Sequence, residues 1–198
     1  MYINAMGFYI PSERIPNSYF EQLNGLTNDW IVQRTGIETR SKVSEGENVD
    51  TMAFEAIDDA LSQLPYDVKD TDLIVAASYC VYDSVATVAH KAQRKYDIKG
   101  AKAVYASSAC SSFINGLEII EGYFAMGKAS KALLICSEQN SYYANTSDPK
   151  SGHLWGDAAV AYFISKDRQS DRDIRIADVY TESLGNVGKG PDGVRLRP

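Results

Sequence analysis

The sequence predicts an α/β fold: a mixed, mostly parallel sheet of about five strands flanked by helices, in the order βαβαβαββ. Three observations carry that prediction. Strand-like and helix-like patterns alternate three times before two strands follow in succession. The runs Leu73-Ile74-Val75-Ala76-Ala77 and Ala132-Leu133-Leu134-Ile135-Cys136 are short and unbroken, as in strands covered on both faces. Between Asp50 and Leu64, residues Ala53, Ile57, Ala60, Leu61 and Leu64 fall on one helical face. Right-handed crossovers then bring helix N-termini to the carboxyl edge of the sheet, where open α/β folds bind ligands.

Each element has its own local reason. Tyr2 to Ile10 reads as a first strand stopped by Pro11, and Pro16-Asn17-Ser18 starts a short helix holding Tyr19, Phe20 and Leu23. Asn28 or Asp29 is expected to cap a second short helix that Gly36 ends, with Trp30 and Arg34 on one face. An aromatic plane beside a guanidinium suits a nucleotide or other flat anionic ligand, and equally a surface cation–π pair. Asp50 is expected to cap the long amphipathic helix, which Pro65 stops. After the strand at 73–77, a helix from about Ser84 to Tyr96 puts Val85, Val88, Ala89, Ala92 and Tyr96 inward and leaves His90 off that face.

Ala103 to Ala106 is the third strand, and the helix that begins at Cys110 runs to about Met126. It carries Phe113, Leu117, Ile120 and Phe124 along one stripe and Ile114 and Ile119 on other sides, so it reads as central and buried. Gly116 and Gly122 inside it predict neighbours that pack very close. The fourth strand is 132–136; the polar stretch Asn140 to Gly152 has the length of a binding loop. Trp155 to Ile164 and Ile174 to Tyr180 are read as the last two strands. The glycine-rich exit from Leu184 divides the chain into a domain at 1–183 and the start of a linker at 184–198.

Composition narrows the functional classes. With 198 residues, 44% hydrophobic and 23% charged, the chain can bury a full core without disulfides. Three cysteines without C-x-x-C spacing and two histidines indicate neither a disulfide framework nor a metal site. A net charge of −6 argues against a nucleic-acid or anionic-membrane surface. The N-terminus has no basic segment followed by an apolar core, and no apolar run approaches the ~18 residues a membrane span needs. A cytoplasmic location is expected.

The chemistry centres on Cys110. A strand that ends in small residues turns sharply and places a thiol at a helix start, where unpaired N–H groups and the helix dipole favour negative charge. Free cysteine is also a common small core residue, the simplest reading of Cys136. An in-chain Cys110–His153 pair would resemble a cysteine hydrolase but lacks an acidic group to orient the imidazole. His90 reads as a solvated or interface histidine.

Four stretches together resemble one family: Trp30-Ile31-Val32-Gln33-Arg34-Thr35-Gly36-Ile37 with Arg40; Ala109-Cys110-Ser111-Ser112-Phe113; Asp148-Pro149; and Gly156-Asp157-Ala158-Ala159. They are similar to the β-ketoacyl-acyl carrier protein synthase III group of the thiolase-fold condensing enzymes, across all 198 residues but only the N-terminal half of the family's fold. The resemblance implies a decarboxylating condensation in fatty acid or related biosynthesis, with Cys110 as catalytic nucleophile. It implies CoA or acyl carrier protein thioesters as substrates and no tightly bound cofactor. Trp30 would stack on the adenine of CoA and Arg34 would lie near its phosphates. A histidine and an asparagine of the family's C-terminal half would complete the site, and neither His90 nor His153 inherits that role; the isolated chain is therefore expected to be inactive. Family members pair through the third strand, here Ala103 to Ala106, so a homodimer is expected. Where the family often has an arginine as a second adenine platform, this chain has Lys150-Ser151-Gly152-His153, and the acyl-pocket position supplied by the partner subunit holds Val85 or nearby Tyr82. The alternatives are a non-catalytic acyl-binding or dimerisation partner, or a secondary-metabolite synthase of the same family.

Overall fold

A computed structural model describes residues 1–193. In chain order the elements are β1 (Tyr2–Tyr9), β2 (Glu13–Pro16), α1 (Asn17–Asn24), α2 (Asn28–Thr35), β3 (Thr39–Lys42), α3 (Val49–Leu61) and β4 (Leu73–Ala77). There follow α4 (Val88–Lys95), β5 (Lys102–Ala106), α5 (Ser112–Ala125), β6 (Lys131–Gln139), α6 (Asn140–Tyr143), β7 (Asp157–Ser165) and β8 (Ile174–Arg175). Six strands form one sheet in the order β5-β4-β6-β7-β1-β8, and β2 and β3, joined through α1 and α2, form a separate two-stranded antiparallel sheet. β4 is parallel to both β5 and β6, while β7 is antiparallel to β6 and β1, and β8 is antiparallel to β1. Thus β1, β4, β5 and β6 run one way and β7 and β8 the other, as expected for a mixed, mostly parallel α/β sheet.

Each face of the sheet has its own core. On one, α3 and α4 lay Met52, Ala53, Ala56, Ile57, Ala60, Ala89 and Ala92 against Ile74, Ala76, Leu133, Ile135 and Phe163. On the other, α5 packs Leu117, Ile120 and Phe124 against Leu73, Val75, Ala77, Leu134 and Ile164. The small residues of α3 let it approach β1 until a Cβ on Gly7 would stand 2.3 Å from Ala56 O and Ala60 N. Gly116 shows the same economy: its Cβ would lie 2.7 Å from Leu134 Cδ1. Gly122 does not, since nothing lies within 4 Å of its would-be Cβ, so close packing explains only the first glycine of α5.

Several boundaries differ from the sequence expectation for identifiable reasons. Asn48, not Asp50, caps α3: its side-chain oxygen accepts from the N–H groups of Asp50 and Thr51, and Thr51 Oγ1 accepts from Asn48 N–H. Asp50 instead pairs with Lys91. Thr27, not Asn28 or Asp29, caps α2 by accepting from Trp30 N–H. Helix α4 starts at Val88 rather than Ser84, because the Asp83 carboxylate accepts from Val85 and Ala86 N–H and holds that stretch in a turn. Val85 consequently points outward, 84% exposed. β8 keeps only two residues of the expected 174–180 strand, while Ile176 and Val179 pack on the α5 side. The antiparallel pair β2–β3 is an addition to the expected elements, its strands brought together across α1 and α2. Residues 194–198 of the expected linker lie outside the described residues.

Candidate active site

Cys110 sits between β5 and α5 in a single 3₁₀ turn, Ala109–Ser111, so the regular helix begins two residues later than the pattern suggested. The turn is tight: Ala109 has φ 50°, a left-handed conformation uncommon for a residue with a Cβ. Serines brace it. Ser112 Oγ accepts from Ser108 N–H at 2.9 Å and donates to Ala109 O at 2.7 Å, and Ser111 Oγ lies 2.8 Å from Ser108 O and 2.9 Å from Asn115 Oδ1. The first turn of α5 has no side-chain cap. Cys110 is exposed, whereas Cys80 is buried and Cys136 half-buried. Burial pushes both of those thiols up, Cys136 to about 12. They are core residues with little thiolate character near neutral pH.

The carboxyl ends of β4 and β6 are tied together beside this turn. Glu138 Oε1 and Oε2 accept from Tyr79 N–H and Cys80 N–H, each at 3.0 Å, and Ser78 Oγ donates to Ser137 O and accepts from Ser137 N–H. Burial raises the Glu138 carboxyl above its ordinary range, opposed by those hydrogen bonds. Burial also raises Tyr79, with smaller contributions from Cys80, Glu138 and Cys110. Beyond it lies a cavity of about 530 Å³ that includes Val49, Val81, Tyr82, Tyr142 and Tyr143 in its walls.

The second sequence-predicted pair forms as expected. Arg34 lies over the Trp30 ring at 4.2 Å, and the Trp30 and His153 rings meet in a T-shaped arrangement with centroids 5.5 Å apart. His153 is 2% exposed, and burial together with the nearby Arg40 charge lowers its proton affinity, with Asp148 opposing. No hydrogen bond joins His153 to Cys110 among the described residues, so the hydrolase-like pair is not formed. His90 stays on the surface with Nδ1 3.0 Å from Thr87 Oγ1.

Two buried polar residues and one half-buried one fix the surroundings, with partners distant in sequence. Asp157, wholly buried, accepts from Val43 N–H, Ser141 N–H and Ser141 Oγ at 2.6–2.9 Å, fastening β3, α6 and β7 together. Arg40, 4% exposed, donates to the His153 carbonyl and to Asn17 Oδ1, and Phe20 covers its guanidinium at 4.6 Å. Glu138 is the third. The only signal for it was a charged residue at the end of an apolar strand. Among the described residues no cluster of His, Cys, Asp and Glu is arranged to hold a metal, and no helix is long and apolar enough to cross a membrane.

Residues 106–185, which include the Cys110 turn, match the family described as 3-oxoacyl-[acyl-carrier-protein (ACP)] synthase III. A β-ketoacyl-[acyl-carrier-protein] synthase III of Pasteurella multocida is 33% identical over 85% of this chain and 53% of its own length. Its counterpart in Nitratidesulfovibrio vulgaris is 30% identical over 94% of this chain and 57% of its own. The crystal structure of 3-oxoacyl-[acyl-carrier-protein] synthase III from Aquifex aeolicus superposes with a TM-score of 0.79 at 30% identity, covering 84% of this chain and 54% of that one. The Thermus thermophilus synthase III gives 0.79 at 28%, covering 84% and 51%. The chain thus spans about half the length of the curated relatives it matches. In sequence and in its thiolase-like fold, the chain is similar to β-ketoacyl-acyl carrier protein synthase III over about half the length of those proteins.

Proposed function

We propose that this chain is the nucleophile-bearing, N-terminal part of a cytoplasmic, decarboxylating β-ketoacyl synthase, with residues 1–183 as its domain and 184–198 as the start of a linker to a second half. The observation that carries the reading is the placement of Cys110: of three thiols only this one is exposed, in a strained turn at the carboxyl edge of the sheet. The Cys110 thiolate attacks an acyl thioester; the new C–S bond forms as the bond to CoA or carrier protein breaks, and the departing thiolate takes up the proton that Cys110 lost on ionising. A malonyl thioester then loses CO₂. Its carbanion attacks the acyl carbon, a C–C bond forms, and Cys110 leaves as thiolate with the β-ketoacyl thioester released.

Charge on the thioester oxygens must be stabilised during both steps, and the second half is assigned that work through a histidine and an asparagine. The sheet has room for such a half. Ala5, Gly7 and Tyr9 face α3, so Met6, Phe8 and Ile10 alternate to the opposite side, where they are 47%, 58% and 48% exposed beside half-buried Val160 and Tyr162. In the same reading, Trp30 and Arg34 receive the nucleotide end of CoA. β5 pairs only with β4 among the described residues, which leaves its outer edge for a second copy.

The test is condensation by the parent polypeptide that carries this chain, supplied with acyl-CoA or acyl carrier protein and a malonyl thioester. Formation of CO₂ and β-ketoacyl product, abolished by Cys110→Ala, is expected. Condensation that survives Cys110→Ala, or absence of product with every primer offered, would overturn the proposal.

A further inference from the structure

We propose that Asn115 is a positioning residue for Cys110: with Glu118 it forms a hydrogen-bonded relay that ties the nucleophile turn to Thr181, so that the seating of the segment after β8 sets the reactivity of the thiol. That the relay serves acyl transfer rests on the role proposed for Cys110; its hold on the thiol does not. Asn115 and Glu118 lie on α5, and Thr181 follows β8, in a stretch whose Ile176 and Val179 pack on the α5 side. The Glu118 carboxylate accepts from Thr181 N–H at 3.0 Å, from the Thr181 hydroxyl at 2.5 Å and from Asn115 Nδ2 at 3.2 Å. Asn115 Nδ2 also donates to Thr181 Oγ1 at 3.1 Å. Among the described residues Glu118 forms no ion pair, so these donors answer the charge of a half-buried carboxylate. They also fix the Asn115 amide. Its nitrogen must face the carboxylate, which turns Oδ1 toward Ser111 Oγ, 2.9 Å away.

Ser111 carries the relay to its neighbour Cys110. It occupies the N-cap position of α5 yet makes no side-chain cap hydrogen bond. A serine there ordinarily accepts from N–H groups of the first helical turn. Ser111 Oγ instead lies beside Ser108 O and Asn115 Oδ1, two acceptors that attract its single proton and draw the hydroxyl away from the cap. The first-turn N–H groups thus stay uncapped next to the Cys110 turn, where they favour a thiolate. Loss of Asn115 removes one of the two attractions and frees the hydroxyl to take those N–H groups. Thr181, anchored on Glu118 and Asn115, sets how firmly the amide is held. It stands just before residue 184, where the proposed linker begins, so the same contacts join the entry to a second half to the nucleophile.

Alkylation of the parent polypeptide by iodoacetamide, followed at Cys110 by peptide mapping, tests the relay. It needs no thioester, so failure of the relay and failure of the proposed condensation are told apart. Asn115→Ala is expected to slow alkylation roughly fivefold, as for loss of one hydrogen bond. Thr181→Val keeps the N–H and the shape but not the hydroxyl and should slow it roughly threefold, whereas Thr181→Ser should keep the wild-type rate. In a Ser111→Ala background Thr181→Val should have no further effect, because the last link is already gone. Circular dichroism checks that each variant is folded; should Asn115→Ala not fold, the two Thr181 variants and the Ser111→Ala background still decide. Unchanged alkylation in Asn115→Ala and Thr181→Val, equal slowing by Thr181→Val and Thr181→Ser, or a Thr181→Val effect that persists in the Ser111→Ala background, would overturn the relay.

Discussion

Replacing Gly7 with alanine isolates the contact on which the α3 side of the core depends. A Cβ built there stands 2.3 Å from Ala56 O and Ala60 N, both main-chain atoms, so no rotamer change can relieve the overlap. To reach an ordinary contact, α3 must withdraw from β1 by about 1 Å, a gap that forfeits a quarter to a half of the dispersion energy of each contact across it. The contacts at stake are those of Ala53, Ala56, Ile57 and Ala60, all 0% exposed. Overpacking costs about 1–3 kcal/mol where side chains can adjust, and here a value near the upper end, about 3 kcal/mol, is expected. Urea unfolding followed by circular dichroism reads this directly when Gly122→Ala is measured alongside. That site has open space around its would-be Cβ in a helix interior, so the same substitution should stabilise by about 0.5–1 kcal/mol. A Gly7→Ala cost below about 1 kcal/mol, or the same sign for both variants, would refute the close-approach explanation.

Two further outcomes follow from the caps and the buried imidazole. Asn48→Ala should cost about 1 kcal/mol of unfolding free energy by removing the α3 cap, whereas Asp29→Ala should change it little, because Thr27 caps α2. His153 binds its proton less readily folded than unfolded, so in phosphate-free chloride solution stability should fall as pH drops from about 7 through the unfolded value near 6.5 and on through the lower folded value. His153→Gln should flatten that part of the profile; identical slopes in the two proteins would show that other groups set it.

Much of this architecture was legible because it is written in local periodicity. The β4 and β6 runs, the α3 stripe, the Trp30–Arg34 pair and the small-residue turn at Cys110 each need only a few consecutive residues to declare themselves. What escaped depends on partners far along the chain. Asp157 is satisfied by Val43, 114 positions away, and Arg40 by the His153 carbonyl, 113 away. The four-residue strands β2 and β3 lack a clean alternation and are stabilised by each other and by the Ser41–Asp157 hydrogen bond. Caps were misplaced where two candidates adjoin: Asn48 and Asp50 are both good capping residues, and the attraction of Lys91 for Asp50 belongs to the tertiary structure. Val85 fits the apolar stripe of α4 and is nevertheless exposed, because the Asp83 turn ends the helix pattern before reaching it.

Acyl transfer to Cys110 is the step on which the proposed function rests. The parent polypeptide, incubated with acyl-CoA or acyl carrier protein thioesters, quenched in acid and weighed intact, should gain one acyl group. Peptide mapping should place it on Cys110, and the gain should vanish in Cys110→Ser but persist in Cys80→Ser and Cys136→Ser. An unmodified mass with every thioester tried, or an acyl group carried by another residue, would contradict the account.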